Sequence, residues 1–430
     1  MLGNTEHPHR FALVNELHSR QSESCLAPEC VTHYAVLRGE GGIDEDRNHV
    51  ASLCKRFGAT PPPPDSAHYS VDLGNTRLKW ERHTEFTTYT FFKRLSAHSF
   101  FDTAADSDLP QDWKDATPGE LIAAIHVTMQ DAERPMPTNE ELNNIFVPDS
   151  IVTTQVSGGG GQIWTDFRLH GEGFSRILIR NSSMSQRRLG RTLQRLLEIE
   201  TYRLMALLGL PVARDVSPKL SLIDGSLAHL TLGMNGSADK ESDATLLRRL
   251  TRVSGDIETL STQTAYRFSA TAAYYALVQT RVKELREDRV EGNQTIQEFI
   301  DRRLAPAART CDSVATRIGD LSQRATRAAN LLRTRVDFAL QEQNQQLLAS
   351  MDRRARLQVR LQQTVEGLSV AAISYYAVGL IGYVVKGGEH LLPGLESATA
   401  LAVATPVVIA IIWFLLSRFR RKVEDSDSSG

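Results

Sequence analysis

The stretch RLKWERHTEF holds the densest cluster of side chains in this chain that could do chemistry. If it lies on a β-strand, Glu81, His83 and Glu85 share one face, because side chains alternate along a strand. Two carboxylates and an imidazole suit a divalent metal, and they could also supply an acid and a base. A solvated strand face is the more frequent outcome of such a pattern, so a functional site requires other segments to converge on it.

A second motif, NELHSR, alternates in the same way and carries Glu16, His18 and Arg20. A ligand or metal site built from both motifs is the best candidate that the sequence offers. The cofactor is unknown at this stage, and a divalent cation is one candidate ligand.

Arginines on a predicted helix form the next pattern. Arg187, Arg191 and Arg195 recur every four residues and could bind an anion, although pairing with Glu198 and Glu200 one turn on would make the same stripe a solvated face. The run SGGGG lacks the Lys-Ser/Thr of a phosphate-binding loop and predicts a flexible turn.

Nucleophile and zinc-protease motifs of the GxSxG and HExxH types do not occur in the sequence. We therefore expect that the protein is not an enzyme. A metal or acid/base site on the Glu81/His83/Glu85 face is the exception that the sequence leaves open.

Alternating strand and helix patterns over residues 1–183 predict an α+β domain that would position these motifs. The segment from Ala67 to Phe92 predicts a hairpin that turns at Gly74-Asn75, and Thr138 with Glu141 predicts a capping box. Residues 184–240 predict a helical connector, whose first helix ends at Gly209 and Pro211 before a looser segment.

Apolar residues spaced by alternating threes and fours mark the region 241–366. One run extends from Leu246 to Leu285 and the other from Ile300 to Leu332, with a break near Gly292. The pattern predicts an antiparallel coiled-coil hairpin that continues as a long helical stalk. Pro306 should bend the second helix or mark a local defect.

Two apolar segments near the C-terminus, Leu368–Val385 and Ala398–Leu416, contain no charged side chain. Each approaches the ~20 residues that a helix needs to cross a bilayer core, so residues 367–417 predict a transmembrane helical hairpin. Residues 418–430 predict a basic and then disordered tail. Basic residues flank the hairpin: Arg353, Arg354, Arg356 and Arg360 before it, and Arg418, Arg420, Arg421 and Lys422 after it.

These flanking charges predict a bacterial inner-membrane protein with both the N-terminal body and the C-terminal tail in the cytoplasm, because positive flanks stay inside. The first span contains small and hydroxyl-bearing residues that would either line a pore or pack against a neighbouring helix. They are Ser374, Tyr375, Gly379, Gly382 and Tyr383. Glu389 and Glu396 in the linker would form an acidic outer ring.

Composition limits the partners. Formal net charge is −2, so no global basic field attracts nucleic acid, and we expect no nucleic-acid partner. The four cysteines form no CxxC pair, which favours a reduced setting. The first ten residues contain no apolar signal segment. Membrane lipid and other copies of the chain are the expected partners.

Long motifs throughout the chain resemble a family of bacterial membrane-anchored proteins, domain-of-unknown-function family 3422. The stretches that carry the resemblance are RFALVNELHSR, RLKWERHTEFTTYTFF, LQRLLEIETYRLMALLGLPVAR, TAYRFSATAAYYALV, LLRTRVDFALQEQNQQLLASMDRRARLQ and LSVAAISYYAVGLIGYVVKG. Gln21 departs from the proline that is usual there. The resemblance implies a membrane anchor and a cytosolic domain, and no reaction.

The layout is also similar to that of CorA-type divalent-cation channels, which place an α+β domain and a helical stalk before two C-terminal membrane helices. That family's Gly-Met-Asn filter should close the first span, where this chain reads IGYVVKG. We therefore expect an oligomeric, CorA-like assembly that couples a soluble sensing domain to a two-helix membrane pore. The alternative is a non-transporting anchor or scaffold that recruits partners through its coiled coil.

Overall fold

The computed structural model describes residues 7, 9–10, 14, 22–38, 43–64, 66–95, 100–235, 242–388 and 397–427. The chain divides into two units, residues 1–330 and 331–430. Glu16, His18, Arg20, Glu389 and Glu396 lie outside the described residues, as do parts of the predicted linker and tail.

One mixed sheet is the centre of the first unit. Its strands are β1 Glu29–Leu37, β2 His68–Asp72, β3 Thr76–Arg82, β4 Phe86–Arg94, β5 Glu120–Gln130, β6 Val152–Val156, β7 Gly161–Thr165, β8 Ser175–Asn181 and β9 Glu287–Arg289. In the described part of the chain they are ordered β2-β3-β4-β1-β5-β8-β7-β6-β9. β5 and β8 run parallel, and the other neighbours are antiparallel.

Helices cover both faces of this sheet. They are α1 Ile43–Arg56, α2 Gln111–Asp115, α3 Asn139–Ile145, α4 Gln186–Leu207, α5 Gly209–Asn235, α6 Asp243–Leu285, α7 Ile296–Gly388 and α8 Ser397–Asp427, with a 3-10 turn at Pro148–Ser150. One face packs against α4 and the facing ends of α6 and α7. The opposite face packs against α1, α2 and α3. The predicted α+β domain followed by long helices is confirmed.

Local signals predicted several of these elements correctly. The turn at Gly74-Asn75 joins β2 to β3, where Leu73 N donates to Thr76 O at 2.8 Å and Gly74 has φ +89°. The capping box of α3 is also present, with Glu141 N donating to Thr138 Oγ1 at 3.2 Å and Thr138 N donating to Glu141 Oε2 at 2.7 Å.

The connector after α4 differs from the prediction. The first helix does end just before Gly209, at Leu207, but Gly209, Pro211 and the segment that we expected to be loose form α5, a helix of 27 residues. Proline is tolerated in the first turn of a helix, where its missing N–H has no intrahelical partner, so Pro211 can follow closely on the start of α5.

The apolar stripes of α6 and α7 are buried, as their spacing predicted. Hydrogen bonds from the Gln279 amide to Asp301 and from the Gln297 amide to Gln279 join the end of α6 to the start of α7. A third helix also takes part, because α5 packs against α6 and Arg324 on α7 donates to Asp224 on α5 at 2.7 Å. The packing is therefore not that of an isolated two-stranded coiled coil. α7 also continues through Pro306 as one helix.

The link between α6 and α7 is part of the sheet. β9 lies in this link and pairs with β6 at the sheet edge. The carboxylate of Glu287 in β9 accepts hydrogen bonds from Ile296 N and Gln297 N, each at 2.9 Å. A carboxylate at these first amides satisfies donors that have no intrahelical partner and opposes the helix dipole, so Glu287 fixes the start of α7 to the sheet.

The second unit contains the C-terminal part of α7 and α8. Among the described residues, only α7 has an 18-residue window apolar enough to cross a membrane, with mean hydropathy 1.8 and 6% of the window buried. α8 has a shorter apolar stretch, Ala402–Leu415. Ala371 and Ser374 of α7 line one groove together with Thr405 of α8.

Candidate functional site

A small cavity lies between the sheet and α4, and its lining includes part of the predicted cluster. Its polar lining comes from Glu23, His33, Lys79, Glu81, His83, Thr88, Thr90, Gln194, Glu198 and Thr201. Two of the three residues that the sequence singled out, Glu81 and His83, are therefore beside a cavity. Helix α4 covers this side of the sheet with an otherwise apolar surface.

Strand register gathers the polar residues at this cavity. Lys79 on β3 lies opposite Thr90 on β4, and Thr90 lies opposite His33 on β1. Glu81 lies opposite Thr88 in the next row of the same face. Since side chains two residues apart share a face, one register brings all five side chains together under α4.

His33 is at the centre of this group and is 5% exposed. Its Nδ1 lies 2.8 Å from Thr90 Oγ1, and its Nε2 lies 3.3 Å from Thr201 Oγ1 on α4. Burial, with smaller contributions from the neighbouring charges of His83 and Lys79, lowers the pKa of His33 to about 3. The imidazole is therefore neutral near pH 7, with a hydroxyl at each nitrogen, and it joins the sheet to α4.

Lys79 and Glu81 form an ion pair at the cavity wall. Lys79 Nζ lies 3.0 Å from Glu81 Oε1, and the two side chains are 10% and 13% exposed. Charges with so little access to water are stable only when paired, so each of these residues requires the other. The Glu81 carboxylate therefore has Lys79 as its partner in the folded protein.

The edge of the cavity is formed by the chain before β1. This segment can cross α4 closely only because residue 190 is glycine. A Cβ at Gly190 would lie 1.7 Å from the carbonyl oxygen of Glu23. Cys25 N donates to Gln186 O at 3.2 Å in the same crossing. Burial raises the pKa of the Cys25 thiol to about 12, so this cysteine is not an activated nucleophile.

The size of the cavity limits its chemistry. Its volume is about 40 Å³, which is room for roughly three water molecules. In the part of the chain that the structure describes, no three His, Cys, Asp or Glu side chains are arranged to hold a metal ion. The arrangement suits bound water within a polar core.

Glu85 lies beyond the end of β3 and does not line the cavity, so the predicted alternation along one strand stops before this residue. β3 ends at Arg82, and the chain turns over Thr84 and Glu85 into β4, with His83 N donating to Phe86 O at 2.8 Å. The turn contains no Gly, Pro or Asn, which explains why the sequence signal was missed. The Glu85 carboxylate instead accepts a hydrogen bond from Arg267 on α6.

The arginine stripe on α4 also has partners other than those predicted. Arg195 Nε lies 3.1 Å from the carboxylate of Glu284 on α6. Glu198 pairs with Arg281 of α6, and the buried Glu200 pairs with Arg203 one turn further along α4. The pairs of Arg195 and Glu198 attach α4 to α6. Arg187, Arg188 and Arg191 are exposed at the start of the helix.

Sequence reasoning missed His33, Thr90 and Thr201. All three belong to segments whose patterns are those of an ordinary strand or helix. Only the pairing of β1, β3 and β4 places them beside Lys79 and Glu81, so the one available signal was the polar residue at an inward-facing position of a strand.

The residues singled out in the first apolar span lie on α7. Ser374 is buried, whereas Tyr375 and Tyr383 are 78% and 80% exposed. A Cβ added to Gly379 would meet nothing within 4 Å, so the predicted close helix contact at this glycine does not form within the described part of one chain. Gly379, Gly382 and the tyrosines line a shallow groove.

The basic residues before the span are exposed on α7: Arg353, Arg354, Arg356 and Arg360. Arg356 pairs with Asp352 one turn earlier. Arg418 is exposed on α8, and Arg420, Arg421 and Lys422 continue that helix.

Comparison with known proteins gives a family but no activity. A family model described as "Protein of unknown function (DUF3422)" matches residues 5–423, which is nearly the whole chain. No curated protein matches the chain.

Proposed function

Because the chain belongs to the DUF3422 family, whose function is unknown, we propose its role from the geometry: a membrane-anchored protein whose α+β body is connected by α7 to an apolar two-helix membrane segment. The single observation that carries this proposal is that α7 is one continuous helix from Ile296 to Gly388. The helix starts at the edge of the sheet and continues into the candidate membrane span.

The exposure of the apolar window of α7 supports the proposal that this segment spans a membrane. Only 6% of that window is buried, although its mean hydropathy is 1.8. A core helix of a soluble protein with this composition would be covered by other elements. Large side chains such as Leu368, Leu380 and Val384 are at least 66% exposed, and a lipid environment would remove this surface from water.

Basic residues support an orientation with both flanks in the cytoplasm of a bacterium. Arg353 and Arg354 precede the span, and Arg418 follows the apolar part of α8. Under the positive-inside rule, the body and the tail then lie on the cytoplasmic side and the α7–α8 link on the outer side.

The attachment of α7 to the sheet supports a coupling role. Glu287 binds the first amides of α7 while its own strand pairs with β6. A displacement of β9 at the sheet edge would therefore also move the first turn of α7, which Glu287 binds. We propose that the body responds to a ligand and that α7 carries the response toward the membrane.

The second candidate is a CorA-like oligomer that forms a pore, and the tyrosines of the first span favour it. Tyr375 and Tyr376 lie near the middle of the span and are 78% and 71% exposed. Hydroxyl groups there would face hydrocarbon unless another chain or water covers them, which is costly. Packing of several copies through the groove around Gly379 would cover them.

Membrane orientation is tested with single cysteines in a variant whose four native cysteines are replaced by alanine. An impermeant thiol reagent applied to whole cells should label Gly388→Cys, at the end of α7 next to the link, and should label Ser428→Cys only after the cells are opened. Labelling of Ser428→Cys in intact cells would contradict the proposed orientation. Recovery of both variants in the soluble fraction would contradict the membrane anchor.

Oligomer and pore are tested separately from the anchor. Native mass spectrometry in mild detergent should show several copies of the wild type and fewer for Gly379→Leu. Gly367→Leu is the matched control, since its added side chain also meets open space. A strictly monomeric wild type rejects the pore and leaves the anchor. If an oligomer forms, cation flux into liposomes that exceeds empty liposomes supports the pore, and its absence supports the anchor.

A further inference from the structure

A second cavity lies on the opposite face of the sheet, among α2 and the loop that follows it. Tyr34 on β1 lies directly opposite Tyr89 on β4, and the two rings are part of the lining. Trp113 of α2 forms a wall, and Thr117 and Gly119 lie in the loop before β5. The remaining lining residues are Val36, Lys114 and Leu121.

The dimensions suit a small organic molecule. The cavity volume is about 190 Å³, against about 40 Å³ for the cavity under α4. For comparison, an apolar protein cavity of about 150 Å³ admits benzene. One aromatic ring with a substituent therefore fits without rearrangement of the walls.

The walls of the cavity are fixed by contacts outside it. Trp113 Nε1 donates to His49 O at 2.9 Å, and the Trp113 ring stacks on His49 at 4.1 Å between centroids. Gly119 has φ +104°, and a Cβ there would lie 2.1 Å from the carbonyl oxygen of Leu37. The loop can pass this close to β1 only with glycine, so the cavity is preformed.

The polar groups at the cavity carry balanced charge. Lys114 Nζ lies 3.3 Å from Asp106 Oδ2, and Tyr34 Oη donates to the same oxygen at 2.7 Å. Asp106 is 5% exposed and Lys114 is 26% exposed at the side chain, so the ammonium is the more accessible of the two. An ammonium has three donors, and a ligand oxygen can accept one of them.

Tyr89 is a buried part of the cavity wall. Its side chain is fully buried, and its hydroxyl has no hydrogen-bond partner among the described residues. An unsatisfied buried hydroxyl is costly and is often explained by a missing ligand or water. The hydroxyl oxygen has almost no accessible surface, so it does not donate into the cavity, and the ligand contacts come from the other lining residues.

We propose that this cavity binds a small, uncharged, planar heteroaromatic ring that carries a carbonyl acceptor. The half-buried Tyr34 ring, the edge of Trp113 and the exposed Leu121 provide the apolar contact surface, and Lys114 donates to the carbonyl. A charged ligand would lose its hydration at a site whose own charges already cancel, so the neutral form is selected. Binding does not depend on the membrane proposal, because every lining residue lies in the α+β body.

The test uses two probes of the same shape, nicotinamide and nicotinate, which differ in the charge of one substituent. Full-length protein in mild detergent is titrated by saturation-transfer NMR, with empty detergent subtracted. Nicotinamide should bind with a Kd of about 0.1–1 mM, as expected for a ligand of this size, and nicotinate should bind at least fivefold more weakly. Absence of nicotinamide binding, or tighter binding of nicotinate, overturns the proposal.

Variants locate the site. Lys114→Met should weaken nicotinamide binding about tenfold, the loss expected for one hydrogen bond from a charged donor. Lys55→Met, which removes an exposed lysine outside the cavity, should leave binding unchanged. Leu121→Trp should abolish binding by closing the mouth, and its fold should survive because Leu121 is 58% exposed. Nicotinamide binding that neither Lys114→Met nor Leu121→Trp alters would show that the probe binds elsewhere.

Discussion

The two faces of the central sheet carry cavities that differ in size and in the residue types that line them. Under α4 the lining is rich in ionisable and hydroxyl groups, but the space is about 40 Å³. On the α2 side the lining includes three aromatic residues and one ionisable lysine, and the space is about 190 Å³. Strands β1 and β4 contribute to both, since their alternate residues point to opposite sides.

This contrast shows that a dense group of ionisable residues is a poor guide to a binding site. Under α4 the polar groups have one another as partners: Lys79 with Glu81, and His33 with Thr90 and Thr201. They fill the site and join the sheet to the helix. On the other face, bulky rings cannot close against a short helix and a glycine-constrained loop, so space remains.

The largest expected effect comes from breaking the ion pair under α4. Glu81→Ala should lower the free energy of unfolding by about 3 kcal/mol, because it leaves the ammonium of Lys79 almost buried without its counterion. Urea unfolding of the full-length protein in detergent, followed by near-UV circular dichroism, measures this. Nicotinamide binding on the other face should be unchanged in the folded variant.

Two controls define that result. Glu120→Ala removes an exposed glutamate and should cost little. The double variant Lys79→Met with Glu81→Leu should recover most of the stability, since it removes both charges together. Equal effects of Glu81→Ala and Glu120→Ala would show that the pair contributes nothing.

An intermediate effect concerns pH. Folded His33 has a pKa lowered to about 3 by burial, against 6.5 for an ordinary histidine, so between these values the unfolded state binds more protons. The stability contributed by neutral His33 is complete above about pH 6.5. As the pH is lowered from 6.5 toward 3, this stability decreases by up to about 1.4 kcal/mol per pH unit. Subtracting the unfolding free energy of His33→Gln from that of the wild type should give this slope.

The other face provides the matched comparison. Burial, together with the charge of Arg56, lowers the pKa of His49 beside Trp113 to about 4. The difference in unfolding free energy between the wild type and His49→Gln should therefore change with pH over a narrower range, from about pH 6.5 to 4. Differences that stay constant with pH would contradict the lowered pKa values.

The smallest effect is expected at the tyrosine pair of the cavity on the α2 side. Tyr89→Phe should change the free energy of unfolding of the unliganded protein by less than about 1 kcal/mol and could raise it, because the lost hydroxyl has no partner. Tyr34→Phe removes the donor to the buried Asp106 and should destabilise by about 1–2 kcal/mol. Thermal unfolding of both variants checks this order, and the reverse order would contradict the assignment of the unsatisfied hydroxyl.

The sequence by itself determined the elements whose signals are local. Apolar spacing gave the buried stripes of α6 and α7, because a helix repeats every 3.6 residues whatever packs against it. The Gly74-Asn75 turn and the capping box of α3 depend on a few neighbouring residues and were also predictable. The apolar window of α7 followed from composition.

The tertiary structure alone decided what these elements bring together. The missed turn at Thr84 and Glu85 contains no residue that local chemistry requires, and the hydrogen bond from Arg267 to Glu85 crosses 182 residues. His33 joins the polar group only through the register of β1 with β4. Cavities depend on how side chains from distant segments fill space, and no local pattern contains that information.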